Sequence, residues 1–228
     1  MHNSANIGST ASRVGSAVRV WPPRTTYVQR YLNFFGGQVL AGQRIAVYEH
    51  SSVARDVLRE ILQGLGAEVL SLGRADTFVP IDTEAVRPED VVQAKLWADE
   101  YPFDAILSTD GDGDRPLIGD ETGSWLRGDM VGVLCAQSLA ADVVVTPVSS
   151  NTAVELCRSF KQVMRTRIGS PYVIAGMEDA SVAPGAQPGQ VVVGYEANGG
   201  FLLGSDVMRD GQTPVSYTHL TLPTICSV

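Results

Sequence analysis

The chain has 228 residues, a formal net charge of −8 and 18% charged residues. That acidic balance excludes a binder of the nucleic-acid backbone, which needs a basic face, and no apolar run is long enough to span a bilayer. The length admits one large domain or two ordinary ones.

Residues 1–26 are small, polar and basic, end in Trp21-Pro22-Pro23-Arg24 and show neither a repeating apolar face nor a secretory core. We read them as unassigned, either disordered or translated from a wrong start, and expect globular structure from Tyr27 to Gln212. The first regular element is a strand, Arg44-Ile45-Ala46-Val47-Tyr48. His50 follows it and reads as a capping or packing residue rather than a catalytic one. A helix is expected from Ser52, because Val53, Val57, Leu58, Ile61, Leu62 and Leu65 recur at helical spacing and Gly64 and Gly66 supply a stop. A strand at Glu68–Leu72 and a helix from Pro88 come next, with Leu96 and Trp97 read as core.

The segment Ala105-Ile106-Leu107-Ser108-Thr109 then reads as a buried strand running into Asp110-Gly111-Asp112-Gly113-Asp114-Arg115. Carboxylates at alternate positions with glycine between them can be turned by a tight loop toward one point, where a hard cation such as Mg²⁺ would sit. Three acids held together repel one another unless a cation neutralises them. A calcium hand would place Asp110, Asp112, Asp114 and Glu121 at its first, third, fifth and twelfth positions. It also needs glycine at the sixth, where this chain has Arg115, and a helix where this chain has a strand. Arg115 beside the acids is suited to holding a phosphate bidentately, although an ion pair with the same acids would also account for it.

A helix is expected from Asp129, then a strand over Asp142–Thr146 and a helix capped by Ser149, Ser150 or Asn151. Arg165 to Ser170 reads as a loop. Asn198-Gly199-Gly200 reads as a turn between Val191-Val192-Val193 and Phe201-Leu202-Leu203. Val215 to Thr224 resembles an in-frame translation of a sequencing-library adapter, so Cys226 is set aside with it. Cys135 and Cys157 are read as buried, unpaired thiols of a reducing, cytoplasmic compartment.

Strands alternating with helices imply an α/β protein: two consecutive α/β domains with mixed, largely parallel sheets covered by helices. The expected division is 1–26 unassigned, 27–140 with the acidic loop, 141–212 with the glycine-rich turn, and 213–228 as a tail. The acidic loop falls at the carboxyl end of a strand, where open α/β sheets place ligands.

From about Tyr27 to about Gln212 the chain resembles the second and third domains of the phosphohexomutases, the phosphomannomutase and phosphoglucomutase family. Asp110 to Arg115 resembles that family's magnesium loop, and Gly194-Tyr195-Glu196-Ala197-Asn198-Gly199-Gly200 its sugar loop, with Asn198 where the family has serine. The resemblance implies that Asp110, Asp112 and Asp114 bind Mg²⁺, that Arg115 contacts phosphate, and that Glu196 and Asn198 bind sugar hydroxyls. It also implies that Arg167, in a loop where Ser170 replaces the family's histidine, orients a phosphate. The implied activity is that of an isomerase, interconverting hexose 1-phosphate and hexose 6-phosphate through a phosphoserine and a hexose 1,6-bisphosphate. The serine loop has no match here beyond Thr10-Ala11-Ser12, which reads as chance. The chain is therefore expected to be an interior fragment without the serine and distal phosphate domains, inactive alone. The competing reading is a non-catalytic module that binds a divalent metal or a sugar phosphate.

Overall fold

A computed structural model describes residues 24–205. Its elements are α1 (Arg24–Phe35), β1 (Arg44–Tyr48), α2 (Arg55–Gly64), β2 (Glu68–Leu72), α3 (Pro88–Glu100), β3 (Ala105–Thr109), β4 (Pro116–Asp120), α4 (Gly128–Ser138), β5 (Val143–Pro147), α5 (Ala153–Leu156), β6 (Gln162–Thr166), α6 (Ser170–Val182), β7 (Val192–Tyr195) and β8 (Phe201–Leu203). The expectations for residues 1–23 and for the tail at 213–228 lie outside the described residues.

The two four-stranded sheets have one topology, β2-β1-β3-β4 and β6-β5-β7-β8. In each, the first three strands are parallel and the last turns back antiparallel on the third. This repeat is invisible in residue spacing because it is a repeat of connections, not of side chains.

Alternation along the central strands assigns the layers. In β1, Ile45 and Val47 pack with Leu62 of α2, while Ala46 and Tyr48 pack with Ala94 and Trp97 of α3. In β5, Val144 faces Val133 and Ala136 of α4, while Val143 and Val145 face Val173, Met177 and Ala180 of α6. α4, which the sequence reading put at the end of the first unit, thus covers the second sheet. Every residue of β5 is buried, and each such valine contributes roughly 1.5–3 kcal/mol of transfer free energy.

Several expectations are corrected. The helix after β1 begins at Arg55, not Ser52. The Ser52 hydroxyl accepts the Ala54 N–H at 3.0 Å instead, closing a turn ahead of the helix. That leaves Val53 outside the helix and 74% exposed, and Leu96 is 55% exposed on the outer side of α3. Trp97, by contrast, packs on the core against Tyr48. Cys157 is exposed and Cys135 half-buried, so neither is a fully buried thiol, although both are free. Of the segment read as a loop from Arg165 to Ser170, only 167–169 is one: Arg165 and Thr166 end β6 and Ser170 starts α6. α1, β4, β6 and α6 were not anticipated. None of Ser149, Ser150 and Asn151 is the cap of α5, whose flanking residue is Thr152; the Asn151 Oδ1 accepts the Ala153 N–H at 2.8 Å and closes a turn just ahead of the helix.

Candidate metal and sugar site

The acidic and glycine-rich loops occupy the same place in the two units, each being the hairpin that joins the third strand to the antiparallel fourth. The acidic loop closes when the Asp110 N–H donates to the Arg115 carbonyl at 3.1 Å. Asp110 Oδ1 then accepts the N–H groups of Gly113, Asp114 and Arg115 at 3.1, 3.1 and 3.2 Å. This one carboxylate is the internal scaffold of the loop. Gly113 has φ +81°, and a side chain there would meet the Ala54 Cβ, so only glycine fits this turn at this distance.

The loop brings the three predicted ligands together, with carboxylate oxygens of Asp110, Asp112 and Asp114 all within 4.8 Å of one another. Hard oxygen donors so spaced fit a divalent cation of the Mg²⁺ or Ca²⁺ kind. The electrostatics agree. Partial burial, the hydrogen bond with Asp114 and the charges of Asp114 and Asp112 push the Asp110 carboxyl up to about 7, against the pull of the Arg115 backbone N–H. Arg115 Nε lies 3.8 Å from Asp114 Oδ1 and its side chain is 48% exposed, so the ion pair is loose and the side chain is open to solvent.

That shift predicts a pH dependence. A carboxyl whose folded value is raised stabilises the fold fully below the ordinary carboxylate range, and that contribution is lost as pH rises through about 7. In EDTA this contribution should therefore lower the melting temperature from about pH 4 to about pH 7 and level off above, and the rise produced by Mg²⁺ should grow over the same window. A Mg²⁺ effect of constant size across that window would contradict the assignment.

In the glycine-rich loop, the Glu196 N–H donates to the Gly200 carbonyl at 3.0 Å and the Gly199 N–H to the Glu196 carbonyl at 3.1 Å. Asn198 Oδ1 accepts the Gly200 N–H at 2.9 Å, so its carbonyl end holds the turn and its amide end is the part suited to a ligand. Glu196 Oε2 accepts the Ser170 hydroxyl at 2.6 Å. Ser170 is thus joined to the residue expected to bind sugar. The Arg167 guanidinium lies 5.6 Å from the centre of the Tyr172 ring.

The two loops adjoin. The Gly199 backbone, at φ +93°, comes so close that a side chain there would lie 2.9 Å from the Pro116 carbonyl oxygen, one residue beyond Arg115. The Thr83 hydroxyl donates across the units to the Asn198 carbonyl at 2.7 Å. Sequence reasoning missed Thr83, because nothing local marks a contact between residues 115 positions apart. It read the turn between β1 and α2 as capping or packing and gave it no tie to the acidic loop. There the buried His50, held below the ordinary imidazole value chiefly by burial, bonds the Thr109 carbonyl next to the first aspartate.

Comparison with known proteins bears on what these loops belong to. Residues 26–123 match the α/β/α domain II model of the phosphoglucomutase/phosphomannomutase family, and residues 127–218 match its domain III model. The chain belongs to this family. It is 54% identical over 181 residues to the phosphomannomutase of Salmonella muenchen and 50% identical over 185 residues to that of Sinorhizobium fredii. Those matches take in 79% and 81% of this chain but 37% and 38% of the relatives, so the chain spans under two-fifths of their length. Among solved structures, a phosphoglucomutase/phosphomannomutase family protein of Burkholderia thailandensis superposes with a TM-score of 0.61 at 18% identity, covering 79% of this chain and 39% of that one. At that identity the superposition speaks for the fold alone. No helix among the described residues is long and apolar enough to cross a membrane.

Proposed function

We propose that this chain carries the metal-binding and sugar-binding units of a Mg²⁺-dependent phosphohexomutase that interconverts the 1- and 6-phosphates of a hexose, with mannose as the preferred sugar. The observation that carries the reading is the meeting of two equivalent hairpin loops, one with three convergent carboxylates and one with Glu196 and Asn198, at Pro116 and Gly199. The identity to relatives named phosphomannomutase supports the choice of sugar.

In this reading Asp110, Asp112 and Asp114 hold the ion, which neutralises charge on the phosphoryl group being transferred. Arg115 turns its exposed guanidinium to the same phosphate, and Arg167 orients a phosphate from the start of α6. Glu196 accepts hydrogen bonds from neighbouring sugar hydroxyls, and Ser170 keeps its carboxylate aimed. The Asn198 amide donates to a further hydroxyl or to the bridging oxygen. The phosphoserine that gives and takes the group, through a hexose 1,6-bisphosphate, comes from a unit outside residues 27–212, as does the grip on the distal phosphate. The chain by itself binds without turnover. A cytoplasmic location belongs to the same reading, and the free thiols of Cys135 and Cys157 support it.

The test is calorimetry on the purified chain with Mg²⁺, followed by mannose, glucose and glucosamine 6-phosphates, alongside an assay for interconversion. The expected result is saturable Mg²⁺ binding, sugar-phosphate binding that favours mannose, and no turnover. A chain that binds neither ion nor sugar phosphate would sink the proposal. Turnover by rigorously purified chain would overturn the placement of the phosphoserine outside it.

A further inference from the structure

We infer that His50, together with Ser52, is a positioning residue for the metal loop: the turn between β1 and α2 sets the backbone from which Asp110 and Asp112 project. The inference rests on the metal reading above. It starts from an anomaly, since His50 has φ +26° and is one of three non-glycine residues with positive φ among those described. Such a conformation in a bulky residue costs on the order of 1–3 kcal/mol and persists only where the surroundings impose it.

Backbone and side chain both hold it there: the Ala75 N–H and the Arg55 guanidinium donate to the His50 carbonyl at 3.0 and 2.8 Å, and the ring is tied to the metal loop. His50 is fully buried, and its Nε2 lies 2.8 Å from the Thr109 carbonyl oxygen. A carbonyl can only accept, so Nε2 carries the proton and Nδ1 is left as an acceptor. Nδ1 is buried and has no hydrogen-bond partner among the described residues. A residue present only for packing would be better as leucine or phenylalanine, which leave no orphaned acceptor. The bond to Thr109 is what an imidazole adds.

Ser52 adds a second tie whose direction follows from proton counting. The Thr109 hydroxyl donates to the Asp110 carbonyl at 2.8 Å. With its one proton so used, it can only accept from the Ser52 hydroxyl at 2.7 Å, and the Ser52 oxygen in turn accepts from the Ala54 N–H at 3.0 Å. A directed chain of hydrogen bonds therefore runs from the start of α2 to the backbone of the first ligand. The Val53 N–H also donates to the Gly111 carbonyl at 3.1 Å, between the first two ligands. The turn at 50–54 grips residues 109–111 through three side-chain or backbone donors.

The second unit repeats the device. At the end of its first strand, the Thr146 hydroxyl bonds the carbonyl of Tyr195 at 2.9 Å and the Ser150 hydroxyl at 2.8 Å. Tyr195 ends the third strand and immediately precedes Glu196, as Thr109 precedes Asp110. In both units a polar side chain at or just after the first strand clamps the last carbonyl before the ligand-bearing hairpin.

The experiment is the Mn²⁺ dissociation constant of the whole chain, measured by electron paramagnetic resonance, with the melting temperature in EDTA recorded for the same samples. His50→Leu and Ser52→Ala should each weaken Mn²⁺ by about 10–100-fold, the range found for groups that orient metal ligands. His50→Gln, whose amide can reach the same carbonyl, should recover most of that affinity. A structural role alone would lower the melting temperature while leaving the Mn²⁺ constant of the folded protein unchanged, and that result overturns the inference. If His50→Leu does not fold, Ser52→Ala decides by the same comparison. A wild-type chain that takes up no Mn²⁺ overturns the metal reading itself, whereas equal binding by wild type and variants removes only the role given to His50 and Ser52.

Discussion

Asp110→Asn should weaken divalent-ion binding on the order of 100-fold while raising the melting temperature of the ion-free chain at pH 8. The first half follows from Coulomb's law. A divalent ion and one carboxylate about 4 Å apart attract by roughly 2 kcal/mol even in bulk water, a factor of about 30, and a partly buried loop strengthens that. The second half follows from the geometry of the empty loop. Asparagine keeps an Oδ1 that can accept the N–H groups of Gly113, Asp114 and Arg115, so the scaffold survives. It removes a charge that burial and Asp114 disfavour, so the repulsion that grows as pH rises through about 7 disappears with it. Asp110→Ala removes scaffold and charge together, and should lose both ion affinity and stability. Calorimetric titration with Mg²⁺ and thermal unfolding in EDTA separate the two variants. An Asn variant that is less stable without ion and binds Mg²⁺ as well as wild type would show that Asp110 serves the fold and not a cation.

How much of this was legible in the sequence follows from the range of each interaction. The strand before Asp110 shows itself because β3 is a short apolar run, and α3 because Pro88 marks a first turn and the chain leaves it at Tyr101. The acidic loop shows itself because a metal site of alternate carboxylates is made by neighbours in the chain. α1 escaped although Val28, Tyr31, Leu32 and Phe35 lie along one face against α2, since its first turn, Arg24-Thr25-Thr26, is polar and continues the polar, basic stretch before it. α6 escaped because Gly169 and Pro171, which together announce a helix start, were absorbed into a loop compared with that of relatives. Val53 and Leu96 fit a helical stripe by spacing yet face outward, because period alone does not say where a helix begins or how wide its buried face is. Thr83 and Gly128, which seat the glycine-rich loop, had no sequence signal, since their partners lie far along the chain and are backbone atoms.

Gly128→Ala should be the most damaging single methyl in the second unit. Gly128 opens α4, and a Cβ there would lie 2.4 Å from the Ala197 carbonyl oxygen, 2.4 Å from the Gly199 nitrogen and 2.8 Å from the Asn198 carbonyl carbon. All three are main-chain atoms of the glycine-rich loop, so no rotamer change relieves the clash. Either α4 withdraws from the sheet it covers through Val133 and Ala136, or the loop moves away from Pro116. Overpacking of this kind costs about 1–3 kcal/mol, and more where the backbone cannot yield. Gly64→Ala is the control. The nearest atoms to a Cβ at Gly64 are those of the Leu32 side chain, its methyls at 2.7 and 3.0 Å, and this side chain can rotate aside, while alanine in a helix is favoured over glycine by up to about 1 kcal/mol. Denaturant unfolding should therefore show a marked loss for Gly128→Ala and little or none for Gly64→Ala. The Gly128 variant should also shift the backbone amide resonances of Glu196 to Gly200 and weaken sugar-phosphate binding while Mg²⁺ affinity holds, because the acidic loop is built by β3, β4 and the turn after β1. Equal loss of both affinities would mean that the two loops form one cooperative unit rather than two that meet.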